Sequence, residues 1–316
     1  MKQIKRTYLL MAIGLKIALF ILPGNSLSDD GILEITAQYR HAAPTGIDDD
    51  VWQQIPVIKI PIEGRGESVN IKGTVNTNVE YTDIEIFFLL KWTDPTLSIF
   101  KQSWQFDGQD LVHMEGNEDR LAILFEVTRI DKFASRGCAV VCHSPPDAKR
   151  SQWKLATRNS KEKGDLWHWK AARSDPYGYA DDAWLTIAGN PSGSYRETGR
   201  RKDAGTGGDI KNQTLDGRKP LYHQNPKIEP SAPGFLLWEE ATPIEEYTQF
   251  QFGTIIPYRL PINPSGSRND VKAQSAYENS EWELMLSRKL NTFHEDDVQF
   301  NPSKRYSFAM AVFDNS

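Results

Sequence analysis

The chain has 316 residues, 25% charged and 39% apolar, which suits a globular protein built as one large domain or two small ones. Its net charge of −5 argues against nucleic acid as a partner, because phosphate binding calls for a basic surface. Beyond the N-terminus no stretch is long or apolar enough to span a bilayer.

Residues 1–28 have the order of a secretion signal. Lys2, Lys5 and Arg6 precede a largely apolar run at residues 8–22, whose one charge is Lys16. Small residues at Ser26 and Ser28 fit cleavage before Asp29, which predicts an exported protein in the periplasm or an equivalent compartment. An uncleaved membrane anchor is the alternative, for which the run is short and carries a lysine. Removing the four basic residues of this segment takes the net charge to −9.

Residues 29–316 read mainly as strands. Residues 57–62 and 69–75 are weak candidates on either side of the turn signal Glu63-Gly64-Arg65-Gly66. In residues 83–92, Ile84, Ile86, Phe88, Leu90 and Trp92 share one face, while Phe87 and Leu89 make the other apolar too. That pattern predicts a central strand buried on both sides. Further strands are predicted at residues 121–128, around Trp282, Leu284 and Leu286, and at 306–313. Many short strands without long helical patterns predict an all-β sandwich with few short helices. Residues 130–182 hold both cysteines, His143, His168, Trp153, Trp167 and Trp169, with few strand signals, and read as a cofactor-bearing loop insertion. Residues 190–234 are rich in Gly, Pro, Ser, Asn and charge, and read as a long polar insertion that is partner-facing or partly mobile.

The chemistry-bearing motif is Cys138-Ala139-Val140-Val141-Cys142-His143. Two thiols that bond haem vinyl groups, followed by a histidine that binds the iron, define a c-type cytochrome. Three residues separate the cysteines here in place of the usual two. Positions three or four apart share a face of a helical turn, so either spacing can present both sulfurs to one porphyrin edge. A disulfide explains the cysteines without His143, and a zinc site with His168 as a further ligand is another alternative. Histidine is scarce in this chain (6 of 316), so its place beside Cys142 favours haem. A second cluster, Gly164-Asp165-Leu166-Trp167-His168-Trp169-Lys170-Ala171, sets an imidazole between two indoles. It reads either as a packed core histidine or as the distal haem ligand, walled by aromatics that exclude water. His113, Met114, His294 and Lys304 compete for the distal role. Asp181 and Asp182 suit a turn better than a calcium site. No Ser/His/Asp arrangement or phosphate loop stands out, and nothing suggests a substrate pocket with its own acid–base machinery.

Together with the cysteine motif, five further segments resemble the haem-binding domain of the ethylbenzene dehydrogenase gamma-subunit family. They are Glu118-Asp119-Arg120-Leu121-Ala122, residues 165–171, Gly178-Tyr179-Ala180-Asp181-Asp182, and residues 282–290 with 308–314. The resemblance implies an immunoglobulin-like β-sandwich holding one haem, and leaves room for a second. It also implies partnership with a molybdenum-cofactor catalytic subunit and an iron–sulfur subunit, with electrons passing to a soluble or membrane acceptor. Relatives of this type act on hydrocarbons, selenate, chlorate, dimethyl sulfide or nitrite. Some hold a b-type haem between Met and Lys and have no cysteines; here the cysteine motif implies that a c-type haem replaces it. The expected protein is an electron-transfer subunit that makes or breaks no substrate bond. The competing reading is a stand-alone binding or sensor sandwich stabilised by a disulfide.

Overall fold

Apolar side chains alternating with a period of two build this protein from strands. The structure is a computed structural model that describes residues 15–18, 33–64, 72–141, 155–189, 198–247 and 250–315. In chain order the strands begin with β1 (Leu15–Ala18), β2 (Leu33–Ile35), β3 (Gln38–Tyr39), β4 (Ile58–Glu63), β5 (Lys72–Tyr81) and β6 (Glu85–Thr93). Next come β7 (Trp104–Phe106), β8 (Leu111–His113), β9 (Arg120–Thr128), β10 (Lys163–Lys170), β11 (Asp181–Leu185) and β12 (Arg200–Lys202). Short strands β13 (Asp209–Lys211), β14 (Tyr222–Gln224), β15 (Ala241–Pro243), β16 (Ile255–Ile256) and β17 (Arg259–Pro261) follow. The chain closes with β18 (Lys272–Glu278), β19 (Glu281–Lys289) and β20 (Arg305–Phe313).

Two sheets form an all-β sandwich. One has the order β12-β11-β10-β9-β20-β1-β2; the other runs β18-β19-β6-β5-β3, with β4 also paired to β5. Between them, Phe88 of β6 meets Trp167 of β10 and Phe308 of β20 edge-on, at ring-centroid distances of 5.8 and 6.2 Å. β6 is buried on both sides, as its sequence predicts. Ile86, Phe88, Leu90 and Trp92 face the sandwich core, while Phe87 and Leu89 pack under Ile47, Trp52 and Ile55. That outer cover is the 3-10 turn Asp50–Gln54, whose start is capped by Asp49 accepting from the Val51 N–H at 3.0 Å.

The strands read from residues 57–62, 69–75, 83–92, 121–128 and 306–313 are present as β4, β5, β6, β9 and β20, with ends shifted by a few residues. Ile84, expected on the core face, precedes β6 and is exposed. The reading of residues 130–182 as a loop insertion needs correction. β10 and β11 lie in this stretch and are interior strands of the seven-stranded sheet. Their strand signal is masked by the polar residues Asp165, His168, Lys170, Asp181 and Asp182, all buried, whose partners include Arg200, Arg268 and Arg288 farther along the chain.

Described residues of the polar stretch 190–234 are folded. β12 extends the seven-stranded sheet, and Asn212 ties the remainder to a small lobe. The Asn212 side chain donates to the Tyr222 and Pro257 carbonyls and accepts from the Leu221 and Tyr222 N–H groups. Its backbone carbonyl accepts from Trp104 Nε1 at 2.8 Å, and Trp104 packs with Leu111, Ile256 and Tyr258. Of residues 1–28, read as a signal, only Leu15–Ala18 is described; it runs between β2 and β20. Cleavage before Asp29 would vacate that place.

Trp282 joins the sheets at the opposite end of the core. It stacks on Trp92, meets Trp169 edge-on at 4.9 Å, and donates from Nε1 to Asp119 at 3.1 Å. Asp119 also accepts from the Ser98 and Asn315 N–H groups, so this carboxylate closes the chain's last residues onto β9. Trp282→Ala is expected to destabilise the protein by about 3–5 kcal/mol. An unchanged midpoint in urea unfolding would show that this indole cluster does not hold the sheets together.

Candidate functional site

The outer face of the seven-stranded sheet, away from the sandwich core, carries the candidate site. After β9 the chain forms α1 (Phe133–Arg136) and a 3-10 turn, Gly137–Val140. Gly137 sits at φ 56°, a left-handed conformation that a side chain would oppose, and it sets the direction of the turn. Phe133, Val140 and Val141 pack on Leu124 of β9, Leu166 of β10, Leu185 of β11 and Ala309 of β20. Cys138 stands exposed on the turn that these residues anchor. Cys142 and His143 lie outside the described residues. On either side of them the chain is tied down by a bond from the Ala156 N–H to the Val141 carbonyl at 3.0 Å.

His168 is on the same outer face. Along β10, Asp165, Trp167 and Trp169 point inward, so Leu166, His168 and Lys170 point outward. This corrects the expectation of an imidazole walled by Trp167 and Trp169. In a strand, neighbours in sequence face opposite ways, and both indoles are spent in the core. Instead, the registers place Ala311, Ala122, His168 and Asp181 in one row across β20, β9, β10 and β11. Ala122 is small beside the imidazole, and the Phe313 ring, with the Arg120 guanidinium over it, lies 6.1 Å from it.

His168 is buried and its Nδ1 lies 3.2 Å from Arg200 Nη1. Guanidinium groups donate and do not accept, so Nδ1 is the acceptor and the ring proton sits on Nε2. Nε2 is buried with no hydrogen-bond partner among the described residues. Burial, with Lys170 and Arg200 close by, pushes the imidazole pKa well below its ordinary value, so the ring is neutral. Asp181, opposite His168, accepts from Lys170, from Arg200 at 3.0 Å and from Arg268 at 2.5 Å. Burial alone would raise its pKa, but these three cations hold the carboxyl well below the usual carboxylate range. Asp181 is therefore the anion of a buried cationic cluster, which corrects the reading of it as a turn residue.

The competing distal ligands are scattered. His113 on β8 stacks on Trp104 at 3.6 Å, and its Nδ1 pairs with the Gln102 carbonyl. Met114 follows β8 and its N–H donates to the Ser103 carbonyl. His294 faces Asp270 at 3.0 Å, and Lys304 is in an exposed turn. None belongs to the outer-face row. Sequence reasoning gave Ala122, Arg200 and Ala311 no part in the site; the period of two, which puts Ala122 on the face of Leu124 and His168 on the face of Leu166, was the available signal.

These residues fit a haem in part. An anchored turn presents Cys138, and one nitrogen of a neutral imidazole has no hydrogen-bond partner among the described residues. Iron binding by Nε2 would require the other tautomer, with the proton on Nδ1. The Arg200 contact would then have to open, since Arg200 cannot accept that proton.

A search of the curated proteins gives no match. The family model described as ethylbenzene dehydrogenase matches residues 49–316, a span that takes in β4–β20 and therefore the whole outer-face row. The chain thus belongs to the ethylbenzene dehydrogenase family, as a subunit of an enzyme of that type.

Proposed function

We propose that this chain is an exported c-type cytochrome, the electron-transfer subunit of a molybdenum and iron–sulfur oxidoreductase. Cys138 and Cys142 hold the haem covalently, His143 is the proximal iron ligand and His168 the distal one. The observation that carries this reading is the common face: the turn bearing Cys138 and the orphaned Nε2 of His168 lie on the same side of one sheet. The signal-like order of residues 1–28 supports export, and family membership supports assembly with other subunits.

Bound haem supplies reversible one-electron transfer. The chain's own residues have three tasks. Phe133, Val140 and Val141 fix the attachment turn on the sheet. Burial and neighbouring cations keep His168 neutral and therefore competent as a ligand once its proton is on Nδ1. Arg200, released from the ring, keeps its partner Asp181. Electrons would come from an iron–sulfur partner of a molybdenum-cofactor catalytic subunit and leave to a soluble or membrane acceptor.

Covalent attachment is expected to show as haem that stays with the denatured chain on a gel, with a c-type pyridine haemochrome spectrum. Cys138→Ser or Cys142→Ser should reduce the attached haem several-fold. Complete extraction of haem by acidified solvent, or an intact 138–142 disulfide, would refute the attachment.

For the distal ligand, His168→Met is expected to convert bis-histidine electron paramagnetic resonance and near-infrared signals to those of a histidine–methionine or high-spin haem. Unchanged spectra in a folded, fully loaded variant would remove His168 from the iron.

Purification from native extract is expected to bring down molybdenum and iron–sulfur subunits in constant ratio. Recovery of this chain alone, at low as well as high salt, would leave a stand-alone cytochrome.

A further inference from the structure

Away from the outer face, buried carboxylates gather at one end of the sandwich core. Arg288 of β19 is almost fully buried and donates to Asp165 at 2.6 Å and to the Val298 carbonyl at 2.6 Å. Its guanidinium lies over the Trp167 ring and within 3.6 and 3.7 Å of Asp182 and Asp297. One positive charge therefore serves three buried carboxylates. His294, 3.0 Å from Asp270 and 3.6 Å from Asp297, borders the group on its exposed side.

Two more carboxylates extend the cluster beyond the reach of Arg288. Asp203, which follows β12, is 4% exposed, and neither of its carboxylate oxygens has a hydrogen-bond partner among the described residues. Oxygens of Asp203, Asp296 and Asp297 lie within 4.8 Å of one another. A buried carboxylate without donors is expensive, and three converging ones repel. Burial and the neighbouring Asp296 and Asp297 raise the Asp203 pKa to about 8.

We infer that Asp203, Asp296 and Asp297 form a calcium site that clamps the loop after β19 to the β11–β12 end of the opposite sheet. The orphaned Asp203 carboxylate, aimed at two other acids, carries the inference; its oxygens accept no hydrogen bond among the described residues. The donors are all hard oxygens, which selects calcium or magnesium over softer metals. Calcium–oxygen bonds of about 2.3–2.6 Å span ligand separations up to about 5 Å, whereas magnesium at about 2.0–2.1 Å draws its oxygens closer. Asp296 is half-buried, so the ion has a route in from solvent. The effect is structural: β12 carries Arg200, so fixing the residue after it steadies the strand that contacts His168.

The full haem-loaded chain, stripped with a chelator, should be titrated with calcium chloride by calorimetry and melted with and without the ion. One calcium per chain is expected, with a rise of several degrees in melting temperature and at least tenfold weaker binding of magnesium. Asp203→Asn should lower calcium affinity at least tenfold. Because it removes a buried carboxyl whose ionisation the neighbouring acids oppose, it should also leave the stripped protein folded and melting at the wild-type temperature or above. Should the variant not fold, terbium emission excited through tryptophan and quenched by calcium reads the site in the unaltered chain. Absence of calcium uptake at millimolar concentration would overturn the site, with protons shared among the acids in its place. Undiminished calcium binding by Asp203→Asn would overturn it equally.

Discussion

Strand β10 is buried on both faces, and the period of two then leaves each of its residues a single option. Asp165, Trp167 and Trp169 must go into the sandwich; Leu166, His168 and Lys170 must go out. The inward set fixes the core, since Trp167 meets Phe88 and carries Arg288 on its ring, while Trp169 meets Trp92 and Trp282. The outward set fixes the site, with Leu166 seating the turn of Cys138 and His168 facing Asp181 and Arg200. A slip of one residue in the β9–β10 register would exchange the two sets, placing His168 and Lys170 in the apolar core. Core packing and site geometry are thus one constraint.

Polar groups at such a strand survive burial only in company. Arg288 on the inner side and Asp181 on the outer side are complementary centres, one cation among acids and one acid among cations. Removing one member of a buried pair commonly destabilises a protein by about 3–5 kcal/mol, because the other is left charged and dry. On the outer side the account closes with positive charge in excess, and every carboxylate oxygen of Asp181 has a donor. On the inner side it closes with negative charge in excess, and Asp203 has no donor among the described residues.

The sequence was legible where apolar residues alone make the strand. β6, β9, β19 and β20 announce themselves by alternation, because each buries carbon against carbon. β10 and β11 do not, since their buried residues include Asp165, Lys170, Asp181 and Asp182, whose partners include Arg268 and Arg288, some hundred residues onward. Only the pairing of distant segments makes those residues acceptable in a core, and a local pattern holds no trace of it. Composition likewise cannot distinguish a solvated excursion from one wrapped about a buried asparagine, so the fold around Asn212 was unreadable. Of the candidate site, the attachment motif was plain from Cys138, Cys142 and His143, although the last two lie outside the described residues. His168 was singled out for a setting it does not have: its indole neighbours in sequence turn away, and its neighbours are Ala122, Asp181, Arg200 and Phe313.

The outer-face charge also has a direction in the proposed role. Lys170, Arg200 and Arg268 surround one carboxylate, and Arg120 and Arg173 add to the field that keeps His168 neutral. Glu118 offsets Arg173, but the local sum stays positive. In a low-dielectric setting such a surplus favours whichever state of a bound group carries the extra electron, and it attracts carboxylates such as those of a porphyrin. Releasing Arg200 from His168 would turn its Nη1 toward an incoming anion while its Nη2 stays on Asp181. Ligation of iron by His168 and accommodation of an anionic edge would therefore draw on one movement, that of the Arg200 side chain at the margin of the sheet.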